Sequence, residues 1–526
     1  MSEGLNVRFL CGSPNKFLLK VVCTVVKYKR LVIIDPLPDD VFLEIFDLFL
    51  RDFSELSDFP FQHMRKWLIL AQVCQRWRRI IYASPRRLDL YLACLCGTPV
   101  RKNLFYWPLT LPLVIDYPGT VSCRDLTPDD EDNIVAALTH ADRIHHVYIY
   151  TTSSLFRKVV TVMQRSFPVL THLELTWCQE NFQSAFPILP RGFLGGSAPR
   201  LEYLYLSGVS FPGLPLLLST SNLLTLRLND IVQSIPPETM VAGLAVLTRL
   251  SHFSIQFDSE IPPPDPDRSR SNRPIPIILP ALTLFVYQGY SEYLEDLLAL
   301  IDTPLVETIT IEYFFGDIHV PQLSQFIGRT KNLKDAQFRR AYVEFCHDQV
   351  FVELELGLPR GEPQTNVDLK LALLGPWSDM QVPYAVDVFG QVDAIFSNVD
   401  HLFAHASCLD WTHWRIVDNL DSNEWLPFLR LFPAMETLRL SGDMMPYIVS
   451  ALEEIPEEMV TEVVPALHLL WLDEEERRED DEPVGSIERF LSLRQLSECP
   501  VTVVDTEDEF DEILDENTQG PLDTLE

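Results

Sequence analysis

The densest set of side chains that could do chemistry lies between residues 401 and 413. It consists of two histidines four positions apart, then a cysteine, an aspartate and a third histidine: His401, His405, Cys408, Asp410 and His413. Residues four apart share one face of a helix, so His401 and His405 could present the paired nitrogens that a metal ion needs. The aromatic residues in the same segment favour packed core instead, and we expect core and surface residues here rather than a metal centre.

No enzyme signature accompanies this cluster. The chain has no G-x-S-x-G nucleophile turn, no H-E-x-x-H metal pair, no G-x-x-x-x-G-K-[ST] phosphate loop and no G-x-G-x-x-G dinucleotide loop. Paired carboxylates carry no signal in a chain this acidic. We therefore expect a protein that is not an enzyme, with no catalytic residue, no cofactor and no metal.

Charge narrows the possible partners. The formal net charge is −33 over 526 residues, and a field of that sign repels phosphate, which argues against nucleic acids and anionic membranes as partners. The acidity is uneven, because residues 473–526 carry twenty acidic and four basic residues. A basic cluster near the N-terminus predicts either a face for an acidic protein partner or a solvated face: Arg76, Arg78, Arg79, Arg86 and Arg87.

Composition also bears on the cellular compartment. The ten cysteines are scattered and too sparse for a disulfide scaffold, which favours a reducing compartment. The longest apolar run, residues 17–26, is interrupted by Lys20 and is half the length that a membrane span needs. We expect a protein of the cytoplasm, the nucleus or both, with no membrane partner.

The N-terminal part of the chain is predicted to form two helices. The first helix is predicted to start at Leu37, Pro38 and the two aspartates that follow. Its apolar residues then recur at helical spacing: Val41, Phe42, Ile45, Phe46 and Phe49. A second helix is predicted from about Gln62 to Ala83. One face of it carries Trp67, Leu70, Ala71, Cys74, Trp77 and Ile81.

From about residue 120 a strand cue recurs, with apolar residues at positions i, i+3 and i+5. Its copies are Leu170/Leu173/Leu175, Leu201/Leu204/Leu206, Leu223/Leu226/Leu228, Leu250/Phe253/Ile255, Val306/Ile309/Ile311, Met435/Leu438/Leu440 and Leu467/Leu470/Leu472. Separations of 20 to 30 residues with this cue are typical of irregular leucine-rich repeats. Such repeats stack into a solenoid, because none can bury its strand face alone.

The fold class predicted is therefore α/β. All-helical N-terminal residues precede a leucine-rich-repeat solenoid, with parallel strands on the concave face and helices on the convex face. A proline-rich loop is expected at 258–280 and an acidic disordered tail at 505–526.

Residues 35–90 resemble an F-box. The resemblance is carried by LPDDVFLEIFDLF at 37–49 and VCQRWRRI at 73–80. Together with residues 83–108 and a late segment at 488–504, they look like the F-box/leucine-rich-repeat proteins that are abundant in mushroom-forming fungi. The resemblance implies an N-terminal extension at 1–30, an F-box at 31–95, a connecting segment at 96–125 and a repeat solenoid at 126–504.

The resemblance also implies a role and a set of contacts. F-box proteins dock on the Skp-type adaptor of a cullin ubiquitin ligase while a second domain holds the substrate. By that pattern the adaptor-facing residues would be Leu37, Pro38, Val41, Ile45, Phe46, Val73, Cys74 and Trp77. This chain departs from the pattern by an insertion at 52–66, which leaves adaptor binding intact only if it forms a surface loop.

We expect the substrate, an unknown protein, to bind the concave strand face, where outward positions between the buried leucines carry mixed polar and aromatic side chains. The substrate-binding residues predicted there are Tyr203, Tyr205, Arg227 and Arg439. The function expected is a non-catalytic substrate receptor of a cullin-type ubiquitin ligase. The alternative is a repeat scaffold that binds partners without any ligase.

Overall fold

The structure is a computed structural model. It describes residues 37–51, 66–84, 88, 90–95, 97, 100, 104, 109, 111–117, 127–151, 153–177, 186–196, 198–210, 222–231, 235–258, 276–314, 316–346, 349–356, 367–374, 381–406, 422–442, 444–473 and 486–504. The chain divides into two compact units: a helical unit (Met1–Ala93 with Trp107–Pro112) and a sheet unit (Cys94–Tyr106 with Leu113–Glu526).

The helical unit contains three described helices: α1 (Asp39–Arg51), α2 (Lys66–Val73) and α3 (Gln75–Ala83). Two aspartates in the first turn of α1 face the positive end of the helix dipole, as the sequence predicts. The core of the unit is built on Phe42, Phe46, Trp67 and Ile81. The indole Nε1 of Trp67 donates a hydrogen bond of 3.0 Å to the carbonyl oxygen of Tyr91.

The single helix predicted from Gln62 to Ala83 is wrong, because the chain breaks at Cys74. Cys74 has an extended backbone (φ −155°, ψ 170°) and its sulfur accepts a hydrogen bond from the backbone N–H of Trp77, which caps α3. An apolar stripe alone cannot reveal such a break, since Trp67 and Ile81 lie in one core on either side of it.

The sheet unit alternates strands with helices. A short strand, β1 (Leu92–Cys94), lies where the sequence passes from one unit to the other. The following strands are β2 (Leu113–Tyr117), β3 (Ile144–Thr151), β4 (His172–Trp177), β5 (Tyr203–Ser207), β6 (Thr225–Ile231), β7 (His252–Phe257), β8 (Ile277–Ile278), β9 (Leu284–Gly289), β10 (Ile301–Asp302), β11 (Thr308–Tyr313), β12 (Phe338–Phe345), β13 (Gln349–Leu356), β14 (Asp368–Leu374), β15 (His401–Ala406), β16 (Thr437–Gly442), β17 (Leu469–Asp473) and β18 (Thr502–Val504).

The helices of the sheet unit lie between these strands in sequence. They are α4 (Pro128–Leu138), α5 (Ser153–Val162), α6 (Pro237–Leu244), α7 (Ser291–Leu298), α8 (Pro321–Arg329), α9 (Lys331–Asp335), α10 (Gln381–Gly390), α11 (Ser422–Leu429), α12 (Met445–Glu453), α13 (Val460–Val463) and α14 (Glu488–Leu496), with 3₁₀ turns at Phe193–Gly196, Asp393–Ile395 and Glu457–Met459. The predicted start of α4 is confirmed: Thr127 caps it, and Asp130 completes a capping box.

The strands form one large, mostly parallel sheet, so the unit is mixed α/β, as predicted. From β2 the order is β2-β3-β4-β5-β6-β7-β9-β11-β14-β13-β12-β15-β16-β17-β18. Neighbours are parallel throughout, except that β13 pairs antiparallel with β12 and β14. A separate parallel pair joins β8 and β10. A purely parallel series through this region is therefore wrong.

The i, i+3, i+5 cue marks the buried side of the sheet. The later two residues of each copy align across neighbouring strands, as Leu204 aligns with Leu226 and Leu206 with Leu228. The side chains aligned with them are all buried. Three further copies, built largely of other apolar residues, were missed: Ile144/Val147/Ile149, Leu282/Phe285/Tyr287 and Val399/Leu402/Ala404, and all are buried.

Charged side chains tie helices in successive strand–helix segments together. Glu295 of α7 accepts hydrogen bonds from the backbone N–H groups of Gln322 and Leu323 in the first turn of α8. In return, Arg329 of α8 donates to carbonyl oxygens at the end of α7 and just beyond it, at Leu298 and Ile301. These bonds satisfy backbone groups that helix ends otherwise leave without partners.

Several predicted segments lie outside the described residues: the extension at 1–30, nearly all of the insertion at 52–66, most of the proline-rich loop at 258–280 and the tail at 505–526. None of the helices in the described part of the chain combines the length and apolar character needed to cross a bilayer.

Candidate functional site

Helix α1 is apolar on two neighbouring faces. One face is buried and carries Phe42 and Phe46. The other carries the apolar stripe, which we define as Val41, Ile45 and Leu48. These side chains are 39%, 44% and 66% exposed. Their spacing of four and three residues keeps them on one side of the helix. The stripe adds nothing to the core of the helical unit, so it is available to a partner.

Helix α2 repeats the arrangement. Trp67 and Leu70 are buried, while Ile69 and Val73, four residues apart, are 41% and 56% exposed. Cys74 follows as an exposed free thiol. The predicted adaptor-facing residues Val41, Ile45, Val73 and Cys74 are thus accessible, as is Pro38.

Phe46 and Trp77, both predicted to face the adaptor, pack against each other between α1 and α3. Phe46 is fully buried, and its ring lies 4.8 Å from that of Trp77, which also contacts Phe42 at 5.7 Å. Leu37 packs against the same core. Arg76 donates hydrogen bonds to the carbonyl oxygen of Leu37 (2.6 Å) and to the carboxylate of Asp39 (2.7 Å). These residues join α1 to α3, and we leave Phe46 and Trp77 out of the candidate docking surface.

The sheet presents a second surface. On each strand from β3 to β7, alternate side chains point away from the buried leucines, and most of them are half-exposed. We call this side of the sheet the open face. Because parallel neighbours lie about 4.8 Å apart, residues in register form continuous rows across it.

One such row, the carboxylate–tyrosine row, consists of Asp116, Tyr148, Glu174, Tyr205 and Arg227. The five residues lie in register on the neighbouring strands β2 to β6. Glu174 therefore stands between two tyrosines, and Arg227 closes the row with an exposed side chain.

The two carboxyl groups of the row are poorly solvated. Burial raises the pKa of Asp116 to about 6, and the negative charge of Glu174 adds to the rise. Burial also raises the pKa of Glu174, with a smaller opposing effect of Arg227. The surroundings of both groups therefore stabilise their charged forms poorly.

A parallel row of aromatic rings lies two residues earlier on the same strands. His146 and His172 have ring centroids 4.5 Å apart, and His172 stacks on Tyr203 at 5.7 Å. Burial, then His172 and His145, lowers the pKa of His146 to about 3, and burial lowers that of His172. Both imidazoles are therefore neutral at pH 7 and offer no positive charge to the neighbouring carboxylates.

The C-terminal part of the open face carries an aromatic concavity. The guanidinium of Arg439 lies 3.5 Å from the ring centroid of Trp471 and makes a 2.6 Å ion pair with Asp473. The concavity has a volume of about 200 Å³ and is lined by Tyr342, Phe403, Ala404, His405, Arg439, Ser441 and Asp473. It is large enough for one side chain of a partner.

The four residues predicted to bind substrate therefore divide into two groups. Tyr203, Tyr205 and Arg227 lie together on β5 and β6, whereas Arg439 lies on β16, at the other end of the sheet order. Asp116, His146 and Trp471 were missed. The alternation of side chains along a strand could have identified them. Each lies on the same side of its strand as a residue two positions away that was predicted to face outward or that aligns with such a residue.

The two leading histidines of the 401–413 segment lie on a strand and not on a helix. His401 and His405 are half-buried in β15, where His401 lies 3.7 Å from a carboxylate oxygen of Asp400 and His405 is 2.8 Å from the hydroxyl of Ser441. Cys408, Asp410 and His413 lie outside the described residues. In the part of the chain that the structure covers, no three potential metal ligands gather.

The basic cluster is partly committed to internal contacts. Arg76 pairs with Asp39, and Arg78 donates a 2.9 Å hydrogen bond to the carbonyl oxygen of Ala71. Arg79 is exposed, and Arg86 and Arg87 lie outside the described residues.

The chain was compared with known proteins. No protein-family model matches it, and no curated protein matches its sequence.

Proposed function

We propose that this protein is the substrate-receptor subunit of a cullin-type ubiquitin ligase, with a helical F-box that docks on a Skp-type adaptor. The observation that carries the proposal is the apolar stripe of Val41, Ile45 and Leu48 on a helix whose neighbouring face already forms a core. Contiguous exposed apolar residues on a small helical unit are typical of a protein–protein docking surface. The resemblance of residues 37–49 and 73–80 to an F-box supports a Skp-type adaptor as the partner.

In this proposal the adaptor covers the apolar stripe of α1 together with Ile69, Val73 and Cys74. The contact is chiefly apolar, so its energy comes from water released from these side chains. The adaptor links the protein to the cullin scaffold, and the ubiquitin chemistry belongs to other subunits. The setting is the cytoplasm, the nucleus or both.

The sheet unit supplies the second half of the proposal. Apart from β12 to β14, whose order is reversed, neighbouring strands of the large sheet follow chain order, and the recurring buried residues support an irregular leucine-rich-repeat solenoid. The open face then corresponds to the concave face of that solenoid and is proposed to hold a protein substrate.

The deciding experiment is affinity capture of the adaptor by matched variants of adjacent residues in α1. Ile45→Glu introduces a charge into the apolar stripe, whereas Glu44→Gln alters an exposed neighbour that lies outside it. We expect Ile45→Glu to lower capture at least about tenfold, as for an interface anchor, while Glu44→Gln leaves it near the wild-type level. Both variants should show the unfolding transition of the wild-type protein.

Equal capture by wild-type protein and a folded Ile45→Glu variant would contradict the docking surface. The scaffold alternative, in which the repeats bind partners without a ligase, predicts that no adaptor is captured by any variant. Affinity capture with the proteasome blocked, followed by mass spectrometry, would separate the two, since only a ligase subunit brings down both an adaptor and a cullin.

A further inference from the structure

The carboxylate–tyrosine row contains two carboxyl groups, Asp116 and Glu174, that form no ion pair within the described residues. Glu174 is half-buried on β4, and its carboxylate makes no hydrogen bond or ion pair within the described residues. Asp116 is only 6% exposed, and its Oδ1 atom is buried without a hydrogen-bond partner. Buried polar atoms normally have partners, and leaving a carboxylate without one is unfavourable. The row is therefore incomplete as it stands.

The groups around the row point to the kind of ligand that completes it. Tyr148 and Tyr205 flank Glu174 in register, so the carboxylate lies between two aromatic side chains. The neighbouring row adds His172 and Tyr203, whose rings are already stacked. A ligand for this surface needs a positive charge for the carboxylates and a flat or apolar part that packs on aromatic rings.

We infer that the carboxylate–tyrosine row binds an arginine side chain of a partner protein segment that lies across strands β3 to β5. A guanidinium is planar, packs on aromatic rings and can donate two parallel hydrogen bonds to one carboxylate. An ammonium group meets the charge requirement but not the planar one. The inference deepens the proposed function, and it rests on that function only in calling the bound segment a substrate.

Arg227 is the last residue of the carboxylate–tyrosine row and affects which ligands the row can bind. It lies on β6, one strand beyond Tyr205 and two beyond Glu174, and its exposed guanidinium makes no ion pair within the described part of the chain. A positive charge there repels an incoming arginine and competes for Glu174. Arg227 is thus expected to weaken binding of a basic segment, although the sequence pattern groups it with the substrate-binding residues.

The test uses the full-length protein and three labelled peptides followed by fluorescence anisotropy near physiological salt. In the first peptide arginine alternates with serine, in the second lysine replaces arginine, and in the third neutral citrulline replaces it. We expect the arginine peptide to bind at least about threefold more tightly than the lysine peptide, and the citrulline peptide not to bind. Absence of binding by the arginine peptide would overturn the inference.

Matched variants show whether the row itself is responsible. Glu174→Gln should weaken binding of the arginine peptide about tenfold, because it removes one charge-assisted contact. Glu457→Gln removes the same charge from an exposed 3₁₀ turn and should have little effect. Arg227→Gln should leave binding unchanged or strengthen it. Equal losses for Glu174→Gln and Glu457→Gln would show general charge attraction and overturn the inference.

The assay contains no adaptor, so its result is separate from that of the docking experiment. Loss of peptide binding with intact adaptor capture would reject the arginine site alone. Peptide binding without adaptor capture would keep the site and reject the ligase role.

Discussion

In the helical unit, Val41, Ile45 and Leu48 are exposed on a helix whose other face is buried, whereas the open face of the sheet unit exposes mainly tyrosine, histidine, glutamate and glutamine. Half of the large apolar side chains found exposed among the described residues belong to the helical unit, although the sheet unit is several times longer. The two units therefore expose surfaces of different chemistry. An apolar stripe suits a permanent partner, and a polar face with isolated charges suits selection among partners.

The largest expected effect tests whether the sheet unit depends on its buried rows. Leu226→Asp puts a carboxylate at a fully buried position of β6 and should cost about 4 kcal/mol of unfolding free energy or more. Arg227→Asp changes the next residue of the same strand, which is exposed, and should cost less than about 1 kcal/mol. Denaturant unfolding measures both changes.

Hydrogen exchange extends that test to neighbouring strands. Because each strand buries its neighbours, Leu226→Asp should also increase exchange in β5 and β7. If exchange rises in β6 alone, the strands are more independent than their aligned core rows indicate.

The next largest effect comes from comparing a core residue of α1 with a residue of its proposed docking surface. Phe46→Ala removes a fully buried ring and should lower the unfolding free energy by about 3 kcal/mol or more. Ile45→Ser changes the exposed adjacent residue and should change it by less than about 1 kcal/mol. Thermal unfolding checks the pair. A large loss of stability for Ile45→Ser would mean that the apolar stripe belongs to the core of the unit.

A third prediction concerns pH and the open face. The pKa of Asp116 is raised to about 6 in the folded protein, above its ordinary value of 3.8. The folded state therefore holds a proton on Asp116 that the unfolded chain releases, and the contribution of Asp116 to stability falls as pH rises from about 4 to about 6. Asp116→Asn should abolish this fall and stabilise the protein at pH 7 by about 1–3 kcal/mol.

The measurement is the difference in unfolding free energy between wild-type protein and Asp116→Asn across that pH range, because the many other carboxylates cancel in the difference. A difference that does not vary between pH 4 and pH 7 would contradict the raised pKa.

The smallest effect tests the contacts between successive helices. Glu295→Gln weakens the hydrogen bonds to the backbone of Gln322 and Leu323 and should cost about 1 kcal/mol. Glu307→Gln, at an exposed position, should cost almost nothing. Thermal unfolding of both variants distinguishes them, and equal values would show that the bonds between α7 and α8 contribute little.

Much of the sheet could be predicted from the sequence because leucine spacing carries the signal. Leu173, Leu204 and Leu226 fall where the spacing predicts, whereas Phe285 and Ala404 occupy equivalent positions without leucine and were missed. The cue reports which side chains are buried and not which strands are neighbours. It therefore gave no indication that β13 is antiparallel.

The candidate surfaces were less accessible to sequence reasoning. Phe46 and Ile45 are adjacent and both apolar, and only packing shows that one is buried and the other exposed. Alternation could have placed Asp116 on the open face but not revealed its raised pKa, which arises from burial and from Glu174, 58 positions away in the sequence. Long-range contacts of this kind do not leave a local pattern.

The reversed strand β13 divides the parallel sheet into two series, one running from β2 to β14 and the other from β12 to β18. Chains built from stacked neighbours unfold in cooperative segments, and the weakest junction sets where a segment ends. The contacts of β13 are made to the last strand of one series, β14, and to the first strand of the other, β12. Because β13 pairs along its length with both β12 and β14, the two series should unfold as one cooperative unit only while this strand stays paired on both sides.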